Sequence, residues 1–129
     1  MKGMIWFKMV VTAVFGVLPV LIPEWTMSLF GLTLDPAAAF ASRIVAAMYI
    51  LIAVELWFAR NDSGSEALRG IFYGVTVGDA IGFVVTLWAQ LSGLTNVFGW
   101  LLVALFLVLA VGFGYYAFSS PELKPHPAT

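Results

Sequence analysis

Asp79 is the residue whose type and position stand out most in this sequence. The nearest charged residues are Arg69 before it and Glu122 after it, and the residues between them are mostly apolar. A carboxylate in such a segment must be protonated, paired with a cation or in contact with water, because an unpaired charge is costly in apolar surroundings. The chemistry open to Asp79 is therefore exchange of a proton against a substrate, or hydrogen bonding to a buried polar group.

Three other polar side chains are candidates for a site with Asp79. Thr12 and Tyr49 each lie one residue from the centre of an apolar segment, so we expect them at a similar depth to Asp79. Arg43 lies about 7 Å from the centre of its segment by the helical rise. At that distance its side chain can reach Asp79, and it can equally reach the lipid headgroups on the outer side of a membrane. If the apolar segments cross a membrane, these residues lie near its midplane. The sequence therefore predicts a midplane polar site of Asp79, Tyr49, Thr12 and Arg43, with the partner of Arg43 left open.

Two further charged residues in apolar segments, Lys8 and Glu55, are expected to lie outside the site around Asp79. Lys8 lies near the start of the first segment, where its long stem can lift the ammonium to the headgroups. Glu55 lies about 7 Å from the end of its segment, and we expect it to pair with Arg60 or Arg69. Since Arg43, Tyr49 and Glu55 point about 120° apart on one helix, at least one of them must face lipid, an interface or a partner.

Several chemistries are excluded by composition. The sequence has no cysteine, which excludes disulfides, thiolate metal sites and thiol catalysis. Its single histidine, His126, lies between prolines near the end of the chain, with no second ligand type beside it. The net charge is −1 and there is no basic run or glycine-rich phosphate loop. We therefore expect no enzymatic activity, no metal or cofactor, and no nucleic-acid partner.

The elements that must position these residues are membrane helices. Of the 129 residues 62% are hydrophobic and 10% charged, whereas soluble domains average roughly 45–50% and about 25%. A membrane span needs about 20 mainly apolar residues, so the chain can hold four. The sequence predicts an all-α, integral membrane four-helix bundle in one domain, followed by a flexible tail at 119–129. The expected spans are 4–22, 36–60, 69–91 and 97–118.

Polar connectors separate the predicted spans. Residues 23–35 suit a connector lying in the membrane interface, and Asp35 before Pro36 predicts a helix N-cap with proline at the first helical position. Residues 60–69 form the most polar stretch, and 92–96 are turn residues. The connectors therefore alternate between the two sides of the expected bundle.

The cations predict how the bundle is oriented. All lysines and arginines except Arg43 lie at the N-terminus, in the second connector or in the tail, and the first and third connectors have none. Positively charged loops stay on the cytoplasmic side. We therefore expect both termini to be cytoplasmic. The residues on that side are Lys2, Lys8, Arg60, Arg69 and Lys124.

Glycines recur every four residues in the third span. Each step of four turns only about 40° around a helix, so the four glycines form one strip. Small residues let another backbone approach closely, which is how helices associate in lipid. This glycine strip therefore predicts a helix-packing surface. Its members are Gly70, Gly74, Gly78 and Gly82.

The same span has a polar face well over 100° from the glycine strip. Its members follow one another at intervals of three and four residues and therefore share a narrow sector. The third span is thus expected to contact protein on two sides, either as the central helix of the bundle or with one side against a neighbouring subunit. The polar face comprises Thr76, Asp79, Phe83, Thr86 and Gln90.

A short motif occurs twice in the sequence. Gly-Leu-Thr stands at 31–33 and again at 93–95, each time shortly before an even-numbered span. This is the pattern expected of a duplicated helical hairpin. Three residues can also match by chance, so both explanations stay open.

The sequence resembles small bacterial four-helix membrane proteins grouped as DoxX-like. The resemblance rests on Leu-Asp-Pro-Ala-Ala-Ala-Phe-Ala-Ser-Arg at 34–43, the short polar turn, the glycine-rich third span and the closing segment from Phe-Gly-Trp to Gly-Phe-Gly-Tyr-Tyr at 98–116. It implies a bundle in the bacterial inner membrane and supplies no catalytic residues.

Two classes of function fit these observations. The first is a non-enzymatic bundle. It either packs against other membrane subunits, as an accessory subunit of a larger complex or as a homo-oligomer, or it binds an apolar, lipid-like small molecule. The second is a proton-coupled transporter working as a dimer, with Asp79 as the coupling acid. We expect the first class, because it accounts for the glycine strip and the many aromatic residues, and because the first span carries no acid. Enzymes come third, because no nucleophile–base pair can be assembled.

Overall fold

The computed structural model describes residues 1–123, apart from the side chain of Glu122. The described chain forms four long helices, one short helix and a final 3-10 turn, and each long helix is long and apolar enough to cross a membrane. The prediction of an all-helical chain with four long apolar helices is confirmed. The elements are α1 (Lys2–Leu21), α2 (Pro23–Ser28), α3 (Pro36–Ala59), α4 (Glu66–Leu91), α5 (Gly99–Ser119) and the turn Pro121–Leu123.

Side-chain caps set where α3 and α4 begin. The side chain of Asp35 accepts a hydrogen bond of 2.7 Å from the backbone N–H of Ala38, which makes Asp35 the expected N-cap of α3. α4 begins at Glu66, earlier than the expected residue 69, because the hydroxyl of Ser65 accepts a bond from the N–H of Leu68. Capping by Ser65 therefore extends α4 into the polar connector.

The two Gly-Leu-Thr motifs end helices in the same way. Gly31 and Gly93 both have positive φ, of 79° and 73°, a conformation that glycine adopts at little cost. The N–H of Leu32 then bonds to the carbonyl of Met27, and the N–H of Leu94 to that of Ala89. These six-to-one bonds are typical of a helix C-terminus closed by glycine. The repeated motif thus has a local explanation.

The long helices pack as two antiparallel pairs, α1 with α3 and α4 with α5, and α3 makes only sparse contacts with α4. The first pair is closest at Gly16, where an added Cβ would lie 3.1 Å from the carbonyl oxygen of Ala46. The second is close at Gly82, where a Cβ would lie 2.5 Å from Cε1 of Phe106. Sequence neighbours α3 and α4 therefore leave a cleft between the pairs.

The two ends of the bundle are closed differently. The proximal end, which carries the N-terminus and the α3–α4 connector, is filled by a hydrophobic core. At the distal end, which carries the other two connectors, the N–H of Asn96 donates to the carbonyl of Phe30 and its side-chain amide to that of Leu29. The core consists of Ile5, Met9, Leu56, Ala59, Leu68, Phe72, Leu109, Phe113, Ala117 and Leu123.

The segment after α5 returns to the core. Residues 119–129 are predicted to form a flexible tail, but the turn Pro121–Leu123 packs against α4 and buries the side chain of Leu123. The expectation therefore needs correction for 119–123, because Leu123 gains apolar contacts at the proximal end. Lys124 and His126 lie outside the described residues.

Candidate binding cleft

Two adjoining cavities occupy the cleft between the helix pairs. The proximal cavity has a volume of about 590 Å³ and the distal cavity about 680 Å³, both within the range of about 300–1,000 Å³ usual for small-molecule sites. Apolar side chains make up most of the walls of both. The residues shared by the two cavities are Lys8, Val45, Tyr49, Gly78 and Phe106.

An ion pair lies where the cavities meet. Nζ of Lys8 is 2.5 Å from Oδ1 of Asp79, and each residue is only 3% exposed. Lys8 lines both cavities and Asp79 lines the proximal one. The second carboxylate oxygen, Oδ2, has no hydrogen-bond partner within residues 1–123. The cleft thus contains a neutral ion pair with hydrogen-bonding capacity to spare.

The expectation that Lys8 extends to the headgroups is wrong. Its side chain is buried and bonds to Asp79, because α1 lies opposite the middle of α4 at this depth. A buried carboxylate is far less costly with a cation beside it. The pair with Asp79 therefore outweighs hydration of the Lys8 ammonium.

Arg43, the cation proposed as a possible partner of Asp79, bonds elsewhere. Its Nε donates to the carbonyl of Val20 over 3.1 Å, and its side chain is exposed. Val20 is in the last turn of α1, where carbonyls lack partners within the helix. Arg43 thus caps α1 and does not belong to the midplane site.

The other two predicted midplane residues do line the cleft. Tyr49 faces both cavities, and its hydroxyl makes no hydrogen bond to any part of the chain that the structure describes. Thr12 is buried and lines the distal cavity, but its hydroxyl donates to the backbone carbonyls of Lys8 and Met9. The structure therefore brings Tyr49 and Thr12 to the same cleft as Asp79, with only the Tyr49 hydroxyl unused.

Most of the glycine strip faces the cleft. For Gly70, Gly74 and Gly78 no atom of the described chain, apart from the adjacent residues and the nearby backbone of α4 itself, lies within 4 Å of where a Cβ would stand, and all three line the proximal cavity. Only Gly82 packs tightly, against Phe106. Within this single chain the strip therefore makes room for the cleft, and it serves as a packing surface only at Gly82.

The polar face of α4 packs against the rest of the bundle. Thr76 lies against Gly114 of α5, and its hydroxyl donates to its own helix. Gln90 accepts a bond of 2.8 Å from the hydroxyl of Thr95 just before α5. Thr86 also donates to its own helix and lines the distal cavity. Thr76 and Gln90 therefore help to join α4 to α5 and the segment before it, whereas Thr86 lies in the wall of the cleft.

Glu55 makes no ion pair within residues 1–123, so the expected pairing with Arg60 or Arg69 is not formed. The guanidinium of Arg60 instead stacks on the ring of Trp57, 3.7 Å from its centroid. Glu55 is exposed and lines the proximal cavity. It therefore adds a negative charge towards the proximal end of the cleft.

Sequence reasoning missed two residues that line the cleft, Lys8 and Phe106. A signal for Lys8 was present, because Lys8, Thr12 and Gly16 recur at intervals of four on α1. A stripe of polar and small residues in an apolar helix faces protein and not lipid. Phe106 lies in a uniformly apolar helix and carries no such signal.

No family model, curated protein or solved structure matches the chain. Among the described residues no group of three or more histidine, cysteine or acidic side chains could hold a metal ion.

Proposed function

We propose that the chain is a non-enzymatic integral membrane protein that binds a lipid-like small molecule in the cleft between α3 and α4. The observation that carries the proposal is the cleft itself, whose walls are mainly apolar and whose buried ion pair retains an oxygen without a partner among residues 1–123. Ligand sites in proteins combine these features, a mainly apolar cavity with a few fixed polar groups.

The rim of the cleft supports entry from the bilayer. Val45 on α3 and Ile81 and Val85 on α4 line the distal cavity and are more than half exposed. Since α3 and α4 contact each other sparsely, an apolar molecule can pass between them without crossing water. The binding site is therefore reached sideways, through the surface that faces lipid.

The wider setting is proposed from the sequence. The resemblance to DoxX-like proteins and the distribution of cations favour the bacterial inner membrane, with both termini in the cytoplasm. A role as accessory subunit of a larger complex, or as a homo-oligomer, is the alternative within the same class. Exposed Gly70 and Gly74 favour that alternative, because a second helix could approach them closely.

A proton-coupled transporter is a second candidate, favoured by the position of Asp79 in the wall of the cleft. Coupling would require Asp79 to leave Lys8 and take up a proton when substrate departs. Asp79→Asn would then abolish transport, and substrate binding to the wild type would release protons. Binding without proton release would favour the non-transporting protein.

The first test is native mass spectrometry of the protein purified gently from its own membrane. The proposal expects a retained apolar molecule in stoichiometric amount. Stoichiometric polypeptides without such a molecule would instead support the accessory role, and a bare dimer would support the transporter.

A matched pair of variants ties retention to the cleft. Gly78 lines both cavities and has space for a side chain, so Gly78→Leu should fill the cleft without disturbing the helices. Val77 is its neighbour, 59% exposed and outside the cleft, and Val77→Leu is the control. Loss of the retained molecule in the first variant alone supports the proposal, and equal retention in both contradicts it.

A further inference from the structure

The ion pair also restricts which ligand the cleft accepts. In the observed geometry Nζ of Lys8 donates to Oδ1 of Asp79, and an ammonium has three donors. Oδ2 of Asp79 can accept a bond and has no partner in the described chain. The pair therefore presents a donor and an acceptor a few ångströms apart, with no net charge.

On the basis of the proposed function, we infer that the ligand is an uncharged amphiphile whose polar group is a hydroxyl. The hydroxyl donates to Oδ2 of Asp79 and accepts from Nζ of Lys8, so that one small group uses both free positions. Rotation about the Cβ–Cγ bond, which is soft in aspartate, turns Oδ2 towards the cavity that Asp79 lines.

Charged head groups fit the cleft poorly. A carboxylate would lie beside Asp79 and in the same cavity as Glu55, and an ammonium would lie beside Lys8. At the ion pair, where the charges of Lys8 and Asp79 cancel, either would lose its hydration without meeting a net opposite charge, which is costly in a buried site. The charge of Glu55 is carried by an exposed side chain nearer the proximal end. A hydroxyl loses little hydration and regains two hydrogen bonds, both to charged groups.

The apolar body of the ligand lies in the distal cavity. That cavity is the larger, and the hydroxyls of Thr12 and Thr86 in its wall already donate to their own helices. It therefore demands no further polar group from the ligand. The hydroxyl lies at Lys8, which lines both cavities.

The test compares head groups on a constant body. Protein in phosphatidylcholine nanodiscs is equilibrated with protein-free nanodiscs and one probe, and mass spectrometry measures the enrichment of the probe on the protein. The probes are hexadecan-1-ol, its methyl ether, hexadecanoic acid and hexadecylamine, with cholesterol and its methyl ether as a second body. For the hexadecyl chain or for the sterol, the alcohol should be enriched about 10-fold over its methyl ether, because the ether has no proton to donate. The enrichment of hexadecan-1-ol should also exceed that of hexadecanoic acid and that of hexadecylamine.

The double variant Lys8→Met with Asp79→Leu assigns the preference to the ion pair. Replacing both partners by apolar residues of similar size usually preserves folding, and the preference for alcohol over ether should fall to about one. Three outcomes would each overturn the inference. The first is equal enrichment of alcohol and ether for both bodies in the wild type, the second is stronger enrichment of the acid or the amine than of hexadecan-1-ol, and the third is an unchanged preference for alcohol in a folded double variant.

Two further outcomes separate this inference from the proposed function. If all head groups are enriched equally and Gly78→Leu abolishes enrichment, the cleft binds amphiphiles but does not select a hydroxyl. If no probe of either body is enriched on the wild type, both the inference and the proposed function fail.

Discussion

Lys8 and Asp79 are separated by 71 residues in the chain, yet their side chains meet at 2.5 Å. Lys8 belongs to the α1–α3 pair and Asp79 to the α4–α5 pair, so this contact joins the two halves of the bundle. It lies where the halves otherwise leave a cleft.

Removing one partner of the ion pair should destabilise the protein strongly. Asp79→Asn or Lys8→Met leaves a buried group without its counterpart, at a cost of about 3–5 kcal/mol. The double variant Lys8→Met with Asp79→Leu should recover most of that loss. Thermal unfolding in detergent measures these differences, with Arg43→Gln as a control that should change stability much less. If the loss of stability in the double variant equals the sum of the losses in the two single variants, the pairing is contradicted.

Glycines that look alike in the sequence should respond differently to substitution. Gly16→Leu and Gly82→Leu push side chains into Ile50 and Phe106, and overpacking of this kind costs about 1–3 kcal/mol. Gly74→Leu extends into the cleft and should leave the unfolding temperature close to that of Val77→Leu. Equal destabilisation at Gly74 and Gly82 would show that the whole strip packs against a helix, as a second copy of the chain would require.

The distal end should open when its hydrogen bonds are removed. Asn96→Asp loses the bond from the side-chain amide to the carbonyl of Leu29 but keeps the acceptor for the N–H of Phe98. Asn96→Ala loses both, so it should be less stable by about 1 kcal/mol than Asn96→Asp. Faster hydrogen exchange at residues 29–32 and 94–98 in both variants is the expected result. Unchanged exchange in Asn96→Ala would show that these bonds do not hold the connectors together.

The two ends of the bundle should face opposite sides of the membrane. The chain has no cysteine, so Ser63→Cys and Ser92→Cys can each be labelled alone by an impermeant reagent in intact cells and in inverted vesicles. Cysteine at 63 should react only from the cytoplasmic side and cysteine at 92 only from outside. Reaction of both from one side would contradict the four-span topology.

The sequence by itself determined the four long helices, the Asp35 cap of α3 and the two faces of α4. These features depend on residues only a few positions apart, such as Asp35 with Ala38 or the glycines at intervals of four. Helix periodicity and capping act at that range, so they can be recognised without knowing the arrangement of the helices. The glycine caps at the two Gly-Leu-Thr motifs are also local, but from the sequence the repeat indicated only a duplicated hairpin or a chance match.

Only the tertiary structure decided which face of α4 packs and which cation meets Asp79. Both faces of α4 suit close contact, and in lipid apolar burial gives little drive to choose between them. From the sequence, Arg43 was the possible partner of Asp79 and Lys8 was expected to reach the headgroups, although each cation lies within a few turns of the midplane. The docking of α1 beside α4 brings Lys8 to the carboxylate and leaves Arg43 at the end of α1. Long-range docking of the two helix pairs, which no local pattern encodes, therefore created the cleft.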